Sequence, residues 1–384
     1  MRILQLVPYF PPYIGGQERY VYNLSKYLVR MGHEVHIVTS NFPKTKEHEI
    51  IEGITVERYR CLARPLRNPI TPGFLTLGKK IKEFDVVHTH NEHSFAAMMA
   101  TYFRRRTNVP LILTCHGQLR FGNFFADKFE SIYSRSVGRR ILDTVDAICV
   151  NSTLDKDYLL SLDRDLISKI KVLSNAIDPQ FFENLDGKPL HSELVEQIKC
   201  DSKIILYVGR LIRRKGLEWL IKAINIIVNE LNRNDISVVL VGNGEDKTYF
   251  RDLVNKYCLN NRVLFLGEMR DCELVHYYKN SNVFVLPSLS EVCPTVVLEA
   301  MYFGLPVIAT NIPGVKDHFN DVALLVPPKN ENRLADAIIK LLDDEKLKGR
   351  LSKTGKELVK RKYTWDVVSR EYEKVYIELL RCKG

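Results

Sequence analysis

Long apolar runs are missing from this sequence: none approaches the ~18 residues that a membrane-spanning helix needs. No cleavable leader is expected, because residues 1–7 pass straight into a strand pattern. The eight cysteines are scattered, with no CxxC pair and no metal-like spacing. Together these absences predict a reduced, cytoplasmic compartment, in which the sequons at Asn23 and Asn151 carry no glycan. No GxGxxG follows the first strand, so a nicotinamide dinucleotide fingerprint is not supported. There is no internal repeat of 20–50 residues and no low-complexity run. Acidic residues are scarce in one place. Between Cys61 and Arg140 stand 13 Lys/Arg against 5 Asp/Glu, which is most of the chain's net +10. That surplus is either a face for an anionic partner or a solvated basic face.

The chain has 384 residues, 45% apolar and 27% charged, an ordinary soluble composition and a length comfortable for two domains. Strand-like runs alternate with helical periods throughout. Residues 2–7 read as a first strand, followed by a loop ending in Gly15-Gly16, a helix over 17–31 and a strand over 34–39. The glycine pair is either a tight turn or a place where backbone N–H groups meet phosphate. Strands at 54–59, 86–89 and 111–115 follow, the last two running into His88-Thr89-His90 and His116-Gly117. A histidine at a strand's carboxyl end stands where ligands bind in an open α/β sheet, and Gly117 beside His116 lets backbone approach closely. Residues 74–84 read as a short basic amphipathic helix, with Phe74, Leu75, Leu77, Ile81 and Phe84 on one face and Lys79, Lys80 and Lys82 on the rest. After a polar linker the second half opens with a strand at 204–208, then Gly209-Arg210 and Lys215-Gly216 ahead of a helix over 217–231. Two cations at a sheet's carboxyl edge fit a diphosphate.

Residues 283–310 concentrate the chemistry. A buried strand (283–286) leads into a loop carrying Glu291. A helix opens at Pro294 and Thr295, runs to Phe303 and stops at Gly304, and a second strand covers 307–310. The helix N-terminus favours an anion, and Glu291 and Glu299 stand beside it. Alternation of β and α in both halves predicts two doubly wound parallel sheets facing across a cleft.

The motifs Gly209-Arg210, Lys215-Gly216, Gly242-Asn243-Gly244, Phe265-Leu266-Gly267 and Glu291-x7-Glu299, with Gly304-x-Pro306, resemble the retaining glycosyltransferases of family 4, which have the GT-B fold. Gly15-Gly16-x-Glu18, His116-Gly117, 175–178 and Thr364-Trp365 agree with that. The resemblance spans the whole chain. It implies an acceptor-side Rossmann-like domain over 1–180, a linker region over 181–202 and a nucleotide-sugar domain over 203–362, with helix 363–384 crossing back onto the first. It implies that Arg210 and Lys215 hold the donor diphosphate, that Gly15 and Gly16 supply backbone N–H, and that Glu299 takes the ribose. Glu291 would sit by the transferred sugar and His116 near the reacting carbon. Gly209, Pro294, Thr295, Val296 and Val297 would line sugar and phosphates; Gly267, Glu268 and Met269 would flank the base. One departure is Val292-Cys293, where the family carries Gly-Phe, which could alter the sugar accepted.

Asp155-x-Asp157 and Asp163-x-Asp165 have the spacing of metal-holding acids, but they read as solvated acids in polar helix or turn sequence, so no metal and no cofactor is expected. The donor, a UDP-, GDP- or ADP-sugar, is a substrate. The expected acceptor is a hydroxyl of a glycolipid, lipid-linked oligosaccharide or polysaccharide precursor, and a sugar-nucleotide epimerase or hydrolase of the same fold is the alternative. Lys79, Lys80, Lys82, Arg104, Arg105 and Arg106 are the expected contacts with an anionic inner membrane face. Nucleic acid is not expected, because Arg104–106 and Arg139-Arg140 lack interleaved aromatics.

Overall fold

A computed structural model describes residues 1–13, 15–117, 128, 132–185 and 202–382. The chain divides into two compact units, Met1–Asn175 with Trp365–Gly384, and Ala176–Thr364. The division falls short of 180 because Pro179–Glu183 is a short helix whose Phe182 packs on Tyr302 and Phe303 of the second unit. Most of the expected linker, 186–201, lies outside the described residues.

In the first unit eight strands form one sheet: β1 (Arg2–Leu6), β2 (Glu34–Ser40), β3 (His48–Ile51), β4 (Ile54–Tyr59), β5 (Val86–His90), β6 (Leu111–Cys115), β7 (Ala147–Val150) and β8 (Ile170–Val172). Their order is β3-β4-β2-β1-β5-β6-β7-β8, all parallel except β3, which pairs antiparallel with β4. The strand direction of travel reverses between β1 and β5, the switch point where such sheets take ligands. Helix Trp365–Arg381 belongs to this unit: the Tyr20 ring of helix Gly16–Arg30 meets Trp365 edge-on at 4.8 Å, and the Tyr20 and Tyr372 hydroxyls are 2.8 Å apart.

The second unit holds six parallel strands, β9 (Lys203–Val208), β10 (Ile236–Val241), β11 (Val263–Gly267), β12 (Val283–Leu286), β13 (Val307–Thr310) and β14 (Leu324–Val326), in the order β11-β10-β9-β12-β13-β14. Both faces are covered, which is why these strands read as continuous β-branched and aliphatic runs. One face buries Leu206, Phe284 and Val307 with the helix Thr295–Tyr302; the other buries Ile205, Val283 and Ile308 with the helices Leu217–Asn225 and Glu331–Asp343. The switch point lies between β9 and β12. The expected helix over 217–231 is α-helical only to Asn225; its last turn, Ile226–Glu230, is a wider π turn.

Residues 74–84 are not one amphipathic helix. They form two 3-10 turns, Pro72–Gly78 and Lys80–Glu83, which bury Phe74, Leu77 and Ile81 and leave Leu75 55% exposed. Among the described residues, no helix is long and apolar enough to cross a membrane.

Candidate functional site

At the switch point of the second sheet, the loops after β9 and β12 are locked together. Gly216 has φ +67, and a Cβ there would lie 1.9 Å from the Pro287 carbonyl oxygen, so only glycine lets the two loops touch. Leu289 N–H donates to the Arg214 carbonyl at 2.9 Å. This contact brings Lys215 and Glu291, 76 positions apart, to 2.6 Å between Nζ and Oε1, with side chains 17% and 10% exposed. From below, Gly314 in the first turn of helix Pro313–Phe319 admits the Glu291 and Val292 carbonyls, which would lie 2.1 and 2.5 Å from a Cβ.

Lys215 is therefore not a free cation at the sheet edge. An ammonium has three donors, so one bond to Glu291 leaves two for a ligand. Arg210, two residues past the end of β9, is exposed. Its carbonyl accepts from the Tyr207 hydroxyl at 2.9 Å, and burial together with the nearby Glu291 charge holds that phenol protonated far above its ordinary range. Gly209 N–H is tied to the Val241 carbonyl, and the Gly267 carbonyl accepts from Gly242 N–H, which ties the ends of β9, β10 and β11 together across a one-residue register shift between Leu240 and Val241. Glu268 is exposed and Met269 packs against the core.

Helix Thr295–Tyr302 starts straight after Pro294, with no side chain capping its first turn. Thr295 and Val296 are half-buried and Val297 is buried. Glu299 is buried, its Oε2 accepting from the Tyr278 hydroxyl at 2.8 Å. Tyr278 was not foreseen as a partner. Of the departing pair, Cys293 points into the core with Phe319 and Tyr363, so it packs and does not face the loop's outer side; Val292 is half-buried.

The first unit carries its own polar cluster at the carboxyl edge of its sheet. Asn151, after β7, donates from Nδ2 to His116 Nδ1 at 3.4 Å; His116 Nε2 lies 2.9 Å from His90 Nδ1; His90 Nε2 lies 2.9 Å from Gln5 Oε1. An amide nitrogen only donates and an amide oxygen only accepts. The proton direction thus runs one way, from Asn151 through both imidazoles to Gln5, with each ring neutral. Burial agrees, lowering His116 to about 4 and His90 well below its ordinary value. His88 is spent on structure, between the Tyr376 hydroxyl and Thr114 Oγ1, both at 2.8 Å. Against burial, which would raise it, His93 and its own backbone N–H hold Glu92 down at about 2. Among the described residues, Glu92 Oε2 and Asn151 Oδ1 are buried acceptors with no hydrogen-bond partner.

Gly15 and Gly16 stand at the start of helix Gly16–Arg30, where Glu18 curls its carboxylate back: a Cβ on Gly15 would lie 2.2 Å from Glu18 Oε2. Burial raises the Glu18 carboxyl, and its own N–H works against that.

Asp155 is not a solvated acid. It is buried in the first turn of helix Thr153–Leu162, where Ser152 Oγ donates to its carboxylate at 3.0 Å and burial raises it to about 6. Asp163 caps the turn Arg164–Ser168, while Asp157 and Asp165 are exposed. Among the described residues no group of three His, Cys, Asp or Glu side chains could hold a metal ion.

Several of the six expected membrane cations have partners within the chain. Arg104 forks onto Asp146 at 2.8 Å, just ahead of β7 and so at the sheet's amino edge; Arg105 reaches Thr144, and Arg106 lies over the Tyr102 ring at 3.7 Å. Lys80 pairs with Glu57, while Lys79 and Lys82 are exposed.

Two α/β units built on largely parallel sheets are the architecture of the GT-B glycosyltransferases, and solved structures of that class align over almost all of the chain. One is HepE of Anabaena in complex with UDP-glucose, at TM-score 0.76 and 18% identity over 98% of this chain and 100% of that one. Residues 14–181 match the family described as Glycosyltransferase Family 4, and residues 193–358 match Glycosyl transferases group 1. The chain belongs to glycosyltransferase family 4. An uncharacterized glycosyltransferase of Methanocaldococcus jannaschii is 29% identical over 403 residues, covering 100% of both chains. The phosphatidylinositol N-acetylglucosaminyltransferase gpi3 subunit of Schizosaccharomyces pombe is 27% identical, covering 96% of this chain and 78% of its own.

Proposed function

We propose that this glycosyltransferase moves a sugar from a nucleoside diphosphate donor to a hydroxyl of a glycolipid, lipid-linked oligosaccharide or polysaccharide precursor, with retention at the anomeric carbon. The observation that carries the reading is the Lys215–Glu291 pair, held by two interlocked loops at the switch point of the second sheet. A diphosphate there meets Arg210 and the two spare donors of Lys215, while Glu291 both orients the lysine and accepts from sugar hydroxyls. Cations fixed beforehand at the leaving group stabilise the charge that grows on it as the bond breaks. The acceptor oxygen bonds to the anomeric carbon as the carbon–phosphate oxygen bond breaks, and the acceptor's proton passes to the leaving phosphate. No general acid is then needed, and no metal or other cofactor is assigned. Glu299, fixed by Tyr278, is assigned to the ribose, the first turn 295–297 to sugar and phosphate, and 267–269 to the base.

The roles that resemblance implies for Gly15, Gly16 and His116 belong to the same proposal. A neutral His116 can touch a sugar without repelling developing positive charge at its anomeric carbon. Glu92 Oε2 and Asn151 Oδ1 are acceptors in want of donors, which suits a hydroxyl-bearing acceptor. The fission yeast relative is named for phosphatidylinositol, which supports a lipid-borne acceptor. The structure of HepE with UDP-glucose supports a nucleotide-sugar donor.

The test is a screen of UDP-, GDP- and ADP-sugars for thermal stabilisation, since a ligand bound only by the folded chain raises its melting temperature. One base should stabilise the wild type, and Lys215→Ala should abolish the shift. No stabilisation by any of the three classes would overturn the donor assignment.

A further inference from the structure

Between Glu57 and Glu83 the chain carries no acidic residue and seven cations: Arg58, Arg60, Arg64, Arg67, Lys79, Lys80 and Lys82. Two of them are consumed internally, Arg58 by Glu49 and Lys80 by Glu57. The other five are exposed. Within this stretch the chain after β4 leaves the sheet as a small hairpin, with Leu62 N–H donating to Ile70 O at 2.9 Å and Ile70 N–H to Ala63 O at 2.8 Å. Its tip, Pro65–Arg67, places Leu66 at φ 47 and Arg67 at φ 63, a left-handed conformation that non-glycine residues rarely adopt. The strain is held from outside. Tyr9 donates its hydroxyl to the Arg67 carbonyl at 3.0 Å, and the Arg64 guanidinium lies 3.4 Å over the Phe42 ring. What this strained tip presents to water is a leucine. Leu66 is 51% exposed and Leu62, on the same hairpin, 61%; Leu75, on the turn that follows, is 55% exposed.

The base of the hairpin fixes where it stands. Asn68 donates to the His93 carbonyl at 2.8 Å and accepts from Phe95 N–H at 3.0 Å. His93 follows the carboxyl end of β5, so the hairpin rises from the same sheet edge as His116 and Asn151, whereas Arg104–106 sit at the amino edge.

We propose that the 60–70 hairpin is the membrane-docking element of this enzyme: Leu62 and Leu66 enter the headgroup layer of a bilayer containing anionic lipid, and Arg60, Arg64 and Arg67 pair with lipid phosphates. The inference rests on the proposed lipid-borne acceptor and adds to it the surface and the residues that hold the enzyme there. Exposed leucines ringed by arginines, with no carboxylate among them, match the two faces of such an interface: apolar just below the phosphates, anionic at them. An acidic protein or polyanion would use the arginines and leave the leucines idle. Docking at the carboxyl edge would bring the headgroup to the cluster around Asn151 and His116 on the same unit.

Co-sedimentation with vesicles tests it, using phosphatidylcholine with about one third phosphatidylglycerol, against pure phosphatidylcholine. Wild type should bind the anionic vesicles, and L62S/L66S should bind at least about tenfold more weakly at unchanged melting temperature. R60Q/R64Q/R67Q should lose the salt-sensitive part of binding, and R105Q/R106Q should bind like wild type. Equal binding by L62S/L66S and wild type would overturn the proposal, as would failure of wild type to bind at about 50 mM salt. Retention on heparin without vesicle binding would overturn it in favour of a polyanionic partner. Donor stabilisation is read separately on the same proteins, so lost docking with intact donor binding sinks only the hairpin, and the converse sinks only the donor reading.

Discussion

Replacing Lys215 with Met strands the Glu291 carboxylate between two packed loops, next to the buried Tyr207 phenol. The native bond is short, 2.6 Å, and its side chains are only 17% and 10% exposed. A charged hydrogen bond contributes about 1.5–3 kcal/mol net, and truncating one partner of a fully buried pair costs about 3–5 kcal/mol. With the residual exposure of this pair, Lys215→Met should destabilise the second unit by about 2–4 kcal/mol. Glu291→Gln keeps a hydrogen-bond acceptor and leaves a lysine able to turn toward water, so it should cost about 1–2 kcal/mol. In K215M/E291Q neither charge is left alone, and the double variant should be more stable than the sum of the singles by about 1.5–3 kcal/mol. Urea unfolding of the four proteins, followed by intrinsic fluorescence, measures this. Additivity within about 0.5 kcal/mol would refute the pairing. Both single substitutions should also lower turnover strongly at saturating donor. Unchanged turnover in both would put the reacting sugar elsewhere.

Gly216→Ala drives a methyl group to 1.9 Å from the Pro287 carbonyl oxygen at φ +67, so the two loops must part; calorimetry should show a loss of about 2 kcal/mol or more, and donor binding should weaken with it. Tyr278→Phe leaves buried Glu299 Oε2 without its 2.8 Å donor, so the donor KM should rise more than kcat falls, with a stability cost of about 1–3 kcal/mol; a selective fall in kcat would argue against a binding role. Acid should destabilise the first unit early. Burial lowers His88 to about 3 and His116 to about 4, below the ~6.5 of an unfolded histidine. Below about pH 6.5 the unfolded chain therefore takes up the extra protons, and stability falls by about 1.4 kcal/mol per imidazole by pH 5.5. Asp155, raised to about 6 by burial, works the other way and offsets part of the loss. Urea midpoints that stay flat or rise between pH 7 and 5.5 would contradict the neutral imidazoles.

The two sheets were legible because strands covered on both faces must be apolar throughout, as in VFVL at 283–286 and ISVVLV at 236–241. Strand β3 was not, since HEII is short, half-exposed and at the edge. The long helix Glu345–Lys362 was missed because it buries only Leu351, Gly355 and Val359 and so shows almost no apolar stripe. In 74–84 the apolar positions Phe74, Leu77, Ile81 and Phe84 are buried as their spacing suggests, but Leu75 lies off that face and is exposed, and nothing in the spacing shows that the segment breaks into two 3-10 turns. Loop residues of the second unit could be picked out by type and place: a cation after a strand, a carboxylate before a helix. Their partners could not. Tyr278 meets Glu299 across 21 positions and Gln5 meets His90 across 85, and nothing local in the sequence marks a hydrogen bond that folding creates between elements far apart in the chain. Asn151 was hidden for the same reason. Its relation to His116 depends on β6 and β7 being neighbours.

The central claim is transfer of a sugar from a nucleotide donor by the site around Lys215 and Glu291. The most direct measurement supplies the nucleotide-sugar that stabilises the protein, labelled in its sugar, together with a membrane lipid extract as acceptor, and follows the product's anomeric proton by NMR. The account predicts label in the lipid fraction, the donor's own anomeric configuration in the product, release of a nucleoside diphosphate, and loss of all three in Glu291→Gln. Release of free sugar with no labelled lipid, or a product of inverted configuration, would contradict it.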